Sequence, residues 1–130
     1  RIKNSTAMTP AVSLVYALDF QLDRIFSKGV DNRFNRHSAM SNRVYEWALE
    51  NGMSPFAAEG VRSKTVATIN NERGIDIPKL NAYLMDKYQM RISNGYGDLK
   101  NKTFRFATMG ETTMDDVNML LGAMEEFMSM

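Results

Sequence analysis

Residues 61–70, with the sequence VRSKTVATIN, mark the point at which the sequence pattern changes and thereby decide the fold class. β-branched side chains recur there in near alternation, which is typical of a half-buried strand. A shorter strand is predicted just before it, at residues 53–57, and residues 70–74 (NNERG) predict a loop after it. Upstream of residue 52 the apolar side chains follow helical spacing instead. The sequence therefore predicts a fold that combines helices with a small sheet.

Two long helices are predicted before this change of pattern. The first spans residues 9–28, with Thr9 as its N-cap, Pro10 in its first turn and Gly29 after its end. Its apolar stripe contains Val12, Val15, Leu22, Ile25 and Phe26. The second runs from about Asp31 to Glu50 and is closed by Asn51 and Gly52. Because the connection between them is so short, a helical hairpin is expected.

The remainder of the chain predicts one sheet and two more helices. Pro78 begins a third helical pattern, and residues 90–93 and 103–108 are predicted strands separated by a Gly95-Tyr96-Gly97 loop. Thr113 and Asp116 resemble a capping box that opens the last helix. The predicted order is ααββαββα within a single domain of residues 1–130. It indicates an α+β fold, with helices packed on one face of an antiparallel sheet.

Composition narrows the possible functions. Hydrophobic residues make up 44% and charged residues 24% of the chain, and the formal net charge is +1. The two signs are mixed along the sequence, so we expect neither nucleic acid nor an anionic membrane as a partner. The sequence has no apolar run near the roughly 20 residues of a spanning helix. It has 0 cysteines, which is compatible with a reducing, cytoplasmic location.

A self-contained active site is not evident in the sequence. His37 is the only histidine, so neither a histidine metal cluster nor a two-histidine catalytic site is predicted, and no metal is expected. We expect His37 to be a structural residue, bonded to a carbonyl. The acid pairs Asp115-Asp116 and Glu125-Glu126 are interpreted as helix-terminal and surface carboxylates.

Arg105 is the strongest candidate for a binding residue. It lies within FRFATMG, residues 104–110, in the middle of an otherwise apolar strand. Alternation places it on the face opposite Phe104 and Phe106. A guanidinium in such a position needs a planar anionic partner, and a carboxylate received by two parallel hydrogen bonds fits best. The alternative is a solvent-facing or salt-bridged strand residue.

Four segments together resemble a known family. The segments TPAVSLVYAL (9–18), GVDNRFNRH (29–37), ISNGYG (92–97) and FRFATMG (104–110) are similar in order and spacing to the C-terminal part of alanine-glyoxylate/serine-pyruvate aminotransferases of class V. Each segment is weak alone, but their order is fairly specific. The resemblance covers nearly the whole chain.

The resemblance implies the C-terminal small domain of a fold-type I enzyme that works as a homodimer. Such an enzyme passes the amino group of a small amino acid to a 2-oxo acid such as glyoxylate or pyruvate, using pyridoxal 5'-phosphate. Arg105 would hold the substrate carboxylate. The lysine that forms the Schiff base would belong to a large domain that is absent from this chain, so the chain alone is expected to be inactive. Lys64 lacks the sequence context of that lysine.

The resemblance also implies that hydroxyl groups before the first helix reach the cofactor phosphate bound in the partner subunit. Thr6 and Thr9 are the candidates, and Ser5 is also available, whereas Met8 occupies the position where some relatives have threonine.

Two alternatives remain open. The chain could be a stand-alone α+β module that binds small carboxylates or protein partners. Within class V it could also derive from a cysteine desulfurase or a phosphoserine aminotransferase, although the segments at residues 9–18 and 36–37 favour the alanine-glyoxylate group.

Overall fold

The computed structural model describes Thr6 and residues 8–130, and within them the chain forms four α-helices and three strands. The helices are α1 (Val12–Lys28), α2 (Val30–Glu50), α3 (Ile77–Tyr88) and α4 (Met114–Met128). The strands are β1 (Val66–Asn70), β2 (Ser93–Asn94) and β3 (Thr103–Ala107), with a short 3-10 helix at Gly97–Leu99 between the last two. The predicted α+β class is confirmed.

The chain divides into two compact units, the first ending at Phe34 and the second comprising Asn35–Met130. The boundary falls within α2, and the helical hairpin stays a prediction.

Helix α1, in the first unit, begins later than predicted. Its N-cap is Ala11, which makes no side-chain capping bond, so the assignment of Thr9 as the cap is wrong. Gly29 ends the helix with a positive φ of 84°. No residue of α1 is buried. The predicted apolar stripe is largely exposed, as Val15 (57% exposed) and Phe26 (64%) illustrate.

The second unit is built on an antiparallel sheet with the strand order β1-β3-β2. Residues of β1 and β3 pair so that Ala67 faces Phe106 and Ile69 faces Phe104. All four of these side chains are buried. They form the sheet side of the core, and the alternate residues of the same strands point to the other face of the sheet.

Helices α2, α3 and α4 supply the rest of the core, as predicted for a sheet covered on one face. The Trp47 ring of α2 packs edge-on against Phe106, with 5.8 Å between ring centroids. Its indole Nε1 donates a hydrogen bond of 2.9 Å to Glu125 of α4. Leu80 and Leu84 of α3 are fully buried. Trp47 thus ties together two helices and the central strand.

The predicted starts of the last two helices are close to those observed. Asp76 caps α3 by accepting a hydrogen bond from the Lys79 backbone, and Pro78 lies in its first turn. The capping box of α4 is present, with Thr113 and Asp116 bonded reciprocally.

The strand predicted at residues 53–57 is reduced to a single bridge between Pro55 and Ile69. The backbone groups that would extend the strand bond to side chains instead. The Ser54 amide donates to Glu72 (2.6 Å), and the Ala57 carbonyl accepts from Arg62 (3.2 Å).

The strand predicted at 90–93 is also shorter and shifted, to Ser93–Asn94. The amide side chain of Asn81 bonds both the N–H (2.9 Å) and the carbonyl (3.0 Å) of Ile92, in place of a neighbouring strand.

Candidate functional site

Arg105 lies at the centre of the sheet face that points away from the core. Its neighbours in strand β3, Phe104 and Phe106, are buried, so the predicted alternation is confirmed. The strand register places Arg105 between Thr68 of β1 and Ser93 of β2. Directly opposed residues in antiparallel strands have Cβ atoms about 4.5–5.5 Å apart. Arg105 is therefore flanked on both sides by residues with short hydroxyl side chains.

Two contacts hold the guanidinium of Arg105. Its Nη2 donates a hydrogen bond of 3.1 Å to the backbone carbonyl of Asn94. The guanidinium lies over the ring of Tyr96, with 4.3 Å between Cζ and the ring centroid. The Nε atom is buried and has no hydrogen-bond partner among the residues that the structure describes. A buried donor without an acceptor is costly, so this group favours an added anionic acceptor.

The loop that carries Tyr96 is held by hydrogen bonds of Asn94. The side-chain oxygen of Asn94 accepts from the amides of Gly95 and Asn101, both at 2.8 Å. Asn101 adopts a positive φ of 62°, which asparagine tolerates better than most residues. The Gly95 amide also lies 2.9 Å from the Thr103 carbonyl of β3. Asn94 thus fixes the loop with its side chain and Arg105 with its backbone.

An open cleft of about 940 Å³ lies beside Arg105. Three cationic residues line it, namely Arg91, Lys100 and Arg105, together with Tyr96 and Ser93. Among the described residues that line this cleft there is no aspartate or glutamate. The described groups around the cleft are thus suited to an anion rather than a cation.

Sequence comparison relates the chain to aminotransferases. An uncharacterized aminotransferase of Methanocaldococcus jannaschii is 34% identical over 108 residues, covering 83% of this chain and 28% of that protein. The alanine–glyoxylate aminotransferase of Drosophila melanogaster is 33% identical over 120 residues, covering 91% of this chain and 30% of that protein. The chain is a homologue of aminotransferases of the alanine–glyoxylate type. It spans about 30% of the length of these relatives. No protein-family model matches it.

Solved aminotransferases share the fold of this chain. The alanine–glyoxylate aminotransferase of a Nostoc species superposes with a TM-score of 0.83, covering 98% of this chain and 34% of that protein at 24% identity. Pyridoxamine–pyruvate aminotransferase of Mesorhizobium loti gives a TM-score of 0.80 at 25% identity, covering 95% of this chain and 33% of that protein.

The residues predicted to reach a cofactor phosphate lie in the first unit of this aminotransferase homologue. Thr6 and Thr9 are exposed, as is Met8, whereas Ser5 falls outside the described residues. A phosphate site needs several converging donors. Within the described part of the chain, neither threonine hydroxyl takes part in a side-chain hydrogen bond. These residues do not by themselves fit the cofactor, so a phosphate would need further donors from another part of the protein.

The remaining predicted residues have structural positions. His37 is buried, and its Nδ1 donates a hydrogen bond to the Thr108 carbonyl, which confirms the predicted structural role. The neighbouring Arg36 donates to the Gly110 carbonyl at 2.7 Å, so both side chains hold the segment that follows β3. Lys64 is exposed, and its carbonyl accepts a hydrogen bond from the Thr108 hydroxyl.

Thr6 and residues 8–130 contain no group of three acids or histidines placed to hold a metal ion. None of the described helices is long and apolar enough to cross a membrane.

The sequence interpretation missed the partners of Arg105. Gly95-Tyr96-Gly97 was interpreted as the loop between two strands, with no contact to Arg105 predicted, although an aromatic residue between two glycines and close to a strand arginine is a detectable signal. The hydroxyl residues Thr68 and Ser93 could be found only once the strand register was known.

Proposed function

We propose that this chain is the C-terminal small domain of a pyridoxal 5'-phosphate-dependent aminotransferase that passes the amino group of a small amino acid to glyoxylate or pyruvate. Homology to aminotransferases, including those that act on glyoxylate, supports the reaction class and favours it over a stand-alone binding module. The observation that carries the proposal is Arg105, with its buried Nε lacking an acceptor beside a cleft lined by cations.

In this proposal, Arg105 binds the carboxylate of the amino acid or 2-oxo acid. A carboxylate can accept two parallel hydrogen bonds from one edge of a guanidinium, which fixes its orientation as well as its position. The backbone carbonyl of Asn94 limits rotation of the guanidinium, and Thr68 and Ser93 offer short hydroxyls on either side of it, on the same face of the sheet. The chain would thus supply the orientation of the substrate and not the bond-making groups.

The cofactor, when bound, supplies the electron sink that the reaction requires. The lysine that forms the Schiff base, and most of the residues that bind the cofactor, are proposed to lie in a large domain. That domain would correspond to the two thirds of the relatives' length that this chain does not match. Thr6 and Thr9 are proposed to add hydroxyl donors to the phosphate held by the partner subunit of a homodimer. We also propose a cytoplasmic location, with which the 0 cysteines of this chain are compatible.

The apolar side chains on α1 support a further contact in the whole protein. Leu14 (70% exposed), Tyr16 (72%) and Phe20 (64%) are examples from a helix that buries no residue. Exposed apolar surface of this extent marks an interaction site. We propose that α1 packs against the large domain or the partner subunit.

The first test replaces Arg105 in the protein as produced from its gene and loaded with cofactor. Removing a hydrogen-bonded charge pair costs about 1.5–3 kcal/mol, so Arg105→Ala should raise the KM for the amino acid about 10- to 100-fold. The cofactor absorbance should be unchanged. Arg105→Lys should recover only part of the loss, because an ammonium lacks the planar fork.

The control for this test is Arg73→Ala, an exposed cation away from the cleft, which should leave the KM unchanged. Alanine, serine and aspartate would be compared as donors, with glyoxylate and pyruvate as acceptors. An Arg105→Ala protein with the wild-type KM would overturn the carboxylate role. A cofactor-loaded wild-type protein that transaminates none of these pairs would overturn the proposed activity.

A further inference from the structure

Tyr96 is the residue in closest aromatic contact with Arg105, and neither the family resemblance nor the proposed function assigns it a role. We infer that Tyr96 is a positioning residue that holds the Arg105 guanidinium in the orientation required for carboxylate binding. This inference rests on the proposed function. The inference concerns the position of the guanidinium. The observation behind it is the contact with Tyr96, in which 4.3 Å separate the Arg105 Cζ from the centroid of the ring.

The geometry leaves the binding edge of the guanidinium compatible with this stacking. An aromatic ring attracts a cation through its face, and arginine stacks with its own planar face toward the ring. A carboxylate instead approaches in the plane of the guanidinium, along an edge that carries two N–H groups. The two interactions therefore use different directions and do not compete. The contact with the ring restricts tilting of the guanidinium plane. Carboxylate binding depends on the angle of that plane, because both of its hydrogen bonds lie in it.

Other contacts do not fix this plane equally well. The hydrogen bond of the guanidinium to the Asn94 carbonyl fixes one nitrogen but permits rotation about that bond. Among the described residues, no acidic side chain forms an ion pair with Arg105. The long arginine side chain loses considerable rotamer entropy when it is ordered. Ordering it before the ligand arrives removes part of that loss from the binding step.

The loop is built so that Tyr96 stays over Arg105 although its side chain is 77% exposed. Its carbonyl accepts a 2.9 Å hydrogen bond from the Leu99 amide, and Gly95 is fixed to Asn94 and Thr103 on the other side. The backbone bonds therefore place the main chain of Tyr96 beside Arg105, and the contact with the guanidinium orients the exposed ring. The Tyr96 hydroxyl takes part in no recorded hydrogen bond within the described residues, so the ring rather than the hydroxyl is the functional part.

The experiment measures carboxylate binding separately from turnover. Acetate is titrated into the full protein labelled with ¹⁵N-arginine, and the Arg105 Nε–H signal, assigned by its loss in Arg105→Lys, is followed by NMR. Acetamide, which is neutral and of similar shape, serves as the ligand control. Tyr96→Phe keeps the ring and should bind acetate within about twofold of the wild type, because the stacking interaction is retained.

Tyr96→Leu should weaken acetate binding by about 2- to 5-fold, the range expected for loss of a cation–π contact at an exposed site. It should also broaden the Arg105 signal and raise the substrate KM with little change in kcat. Its thermal midpoint should stay near that of the wild type, since the side chain is mostly exposed. A merely structural role would lower the midpoint instead.

The outcomes separate this inference from the proposed function. Equal acetate affinities for the wild type and Tyr96→Leu, with Arg105 still responding, would overturn positioning by Tyr96 and leave the carboxylate role of Arg105 intact. Failure of acetate to shift the Arg105 signal in the wild type would overturn both.

Discussion

At the scale of single residues, Gly95 determines how closely the loop after β2 can approach the 3-10 helix. A Cβ at this position would overlap the Leu99 carbonyl oxygen and lie 2.6 Å from the Leu99 carbon and from the Thr103 hydroxyl. Two of these neighbours are backbone atoms, which cannot move aside as a flexible side chain could. Gly95 is therefore required by space and not by an unusual φ angle.

Gly95→Ala should destabilise the chain by about 1–3 kcal/mol, as expected for overpacking at a rigid site. The matched control is Gly122→Ala in α4, where an added Cβ would have no neighbour within 4 Å. That change should stabilise the chain by about 0.5–1 kcal/mol, because glycine is unfavourable inside a helix. Denaturant unfolding of both variants checks the pair. Equal stabilities for the two would contradict the steric role of Gly95.

The sequence could predict where Arg105 points but not what holds it. Alternation along β3 determines the face of a side chain, and this prediction was correct for Arg105 and its two phenylalanine neighbours. Neighbours across the sheet depend on the strand register, and the stack with Tyr96 depends on a turn whose shape is fixed by Asn94 and Asn101. These contacts join residues between seven and 37 positions apart, so local patterns do not encode them.

At the scale of elements, helix ends were more predictable than strand ends. Capping depends on residues three positions apart, and the box of Thr113 and Asp116 was found from sequence for that reason. A strand ends where its partners end, and side chains can take over the backbone groups. Asn81 does this at Ile92, and Glu72 and Arg62 do so on either side of Pro55. The predicted strands at 90–93 and 53–57 were shortened accordingly.

A polar cluster of Tyr83, Lys87, Tyr88 and Glu126 joins α3 to α4. The Tyr88 hydroxyl donates to Glu126 at 2.6 Å, and the Lys87 ammonium lies 3.0 Å from the same carboxylate. Hydrogen bonding with Tyr83, Tyr88 and Lys87 lowers the pKa of Glu126 from 4.5 to about 2. The hydrogen bond to Glu126, followed by desolvation, raises the pKa of Tyr88 from 10.0 to about 12.

The cluster predicts a specific pH dependence of stability. A carboxyl group with a lowered pKa in the folded state stabilises the fold above its unfolded value and loses that contribution as the pH falls. For Glu126 the loss should occur between about pH 4.5 and 2. For Tyr88 the sign is opposite, because its pKa is raised, so its contribution should be lost as the pH rises from about 10 to 12.

Glu126→Gln should lower the stability of the chain at pH 7 and flatten its decline between about pH 4.5 and 2. Salt should reduce the difference from the wild type, since the carboxylate is half-exposed and screened. Glu59→Gln, at an exposed loop position, is the control and should leave both properties unchanged. Thermal unfolding across this pH range provides the measurement. If stability fell as steeply with acid in Glu126→Gln as in the wild type, the stabilising role of the cluster would be contradicted.

At the scale of the whole molecule, the second unit is covered by helices on one sheet face only. Ala67, Ile69, Phe104 and Phe106 point into the core, while Arg105 and the flanking Thr68 and Ser93 lie on the opposite face. This face of the sheet is the one that carries Arg105, so the proposed carboxylate site lies opposite the core. The position of the core therefore determines on which face such a site can lie.

The buried side chains of the described residues all lie in the second unit, which gives a prediction about independent folding. Every buried side chain among the described residues lies at or beyond His37, and α1 buries none. A chain of residues 29–130 retains Gly29 and the whole of α2. Its thermal midpoint should therefore stay within about 2 °C of that of the 130-residue chain. This shift is smaller than the one that a loss of 1 kcal/mol would cause. The shorter chain should also bind less of a dye that recognises apolar surface and associate less at high concentration, because the exposed side chains of α1 are gone.

Calorimetry and sedimentation of the two chains at equal concentration test both points. A fall of more than about 5 °C would mean that α1 stabilises the second unit by 1 kcal/mol or so, and its apolar side chains would then have to be regarded as part of one common core.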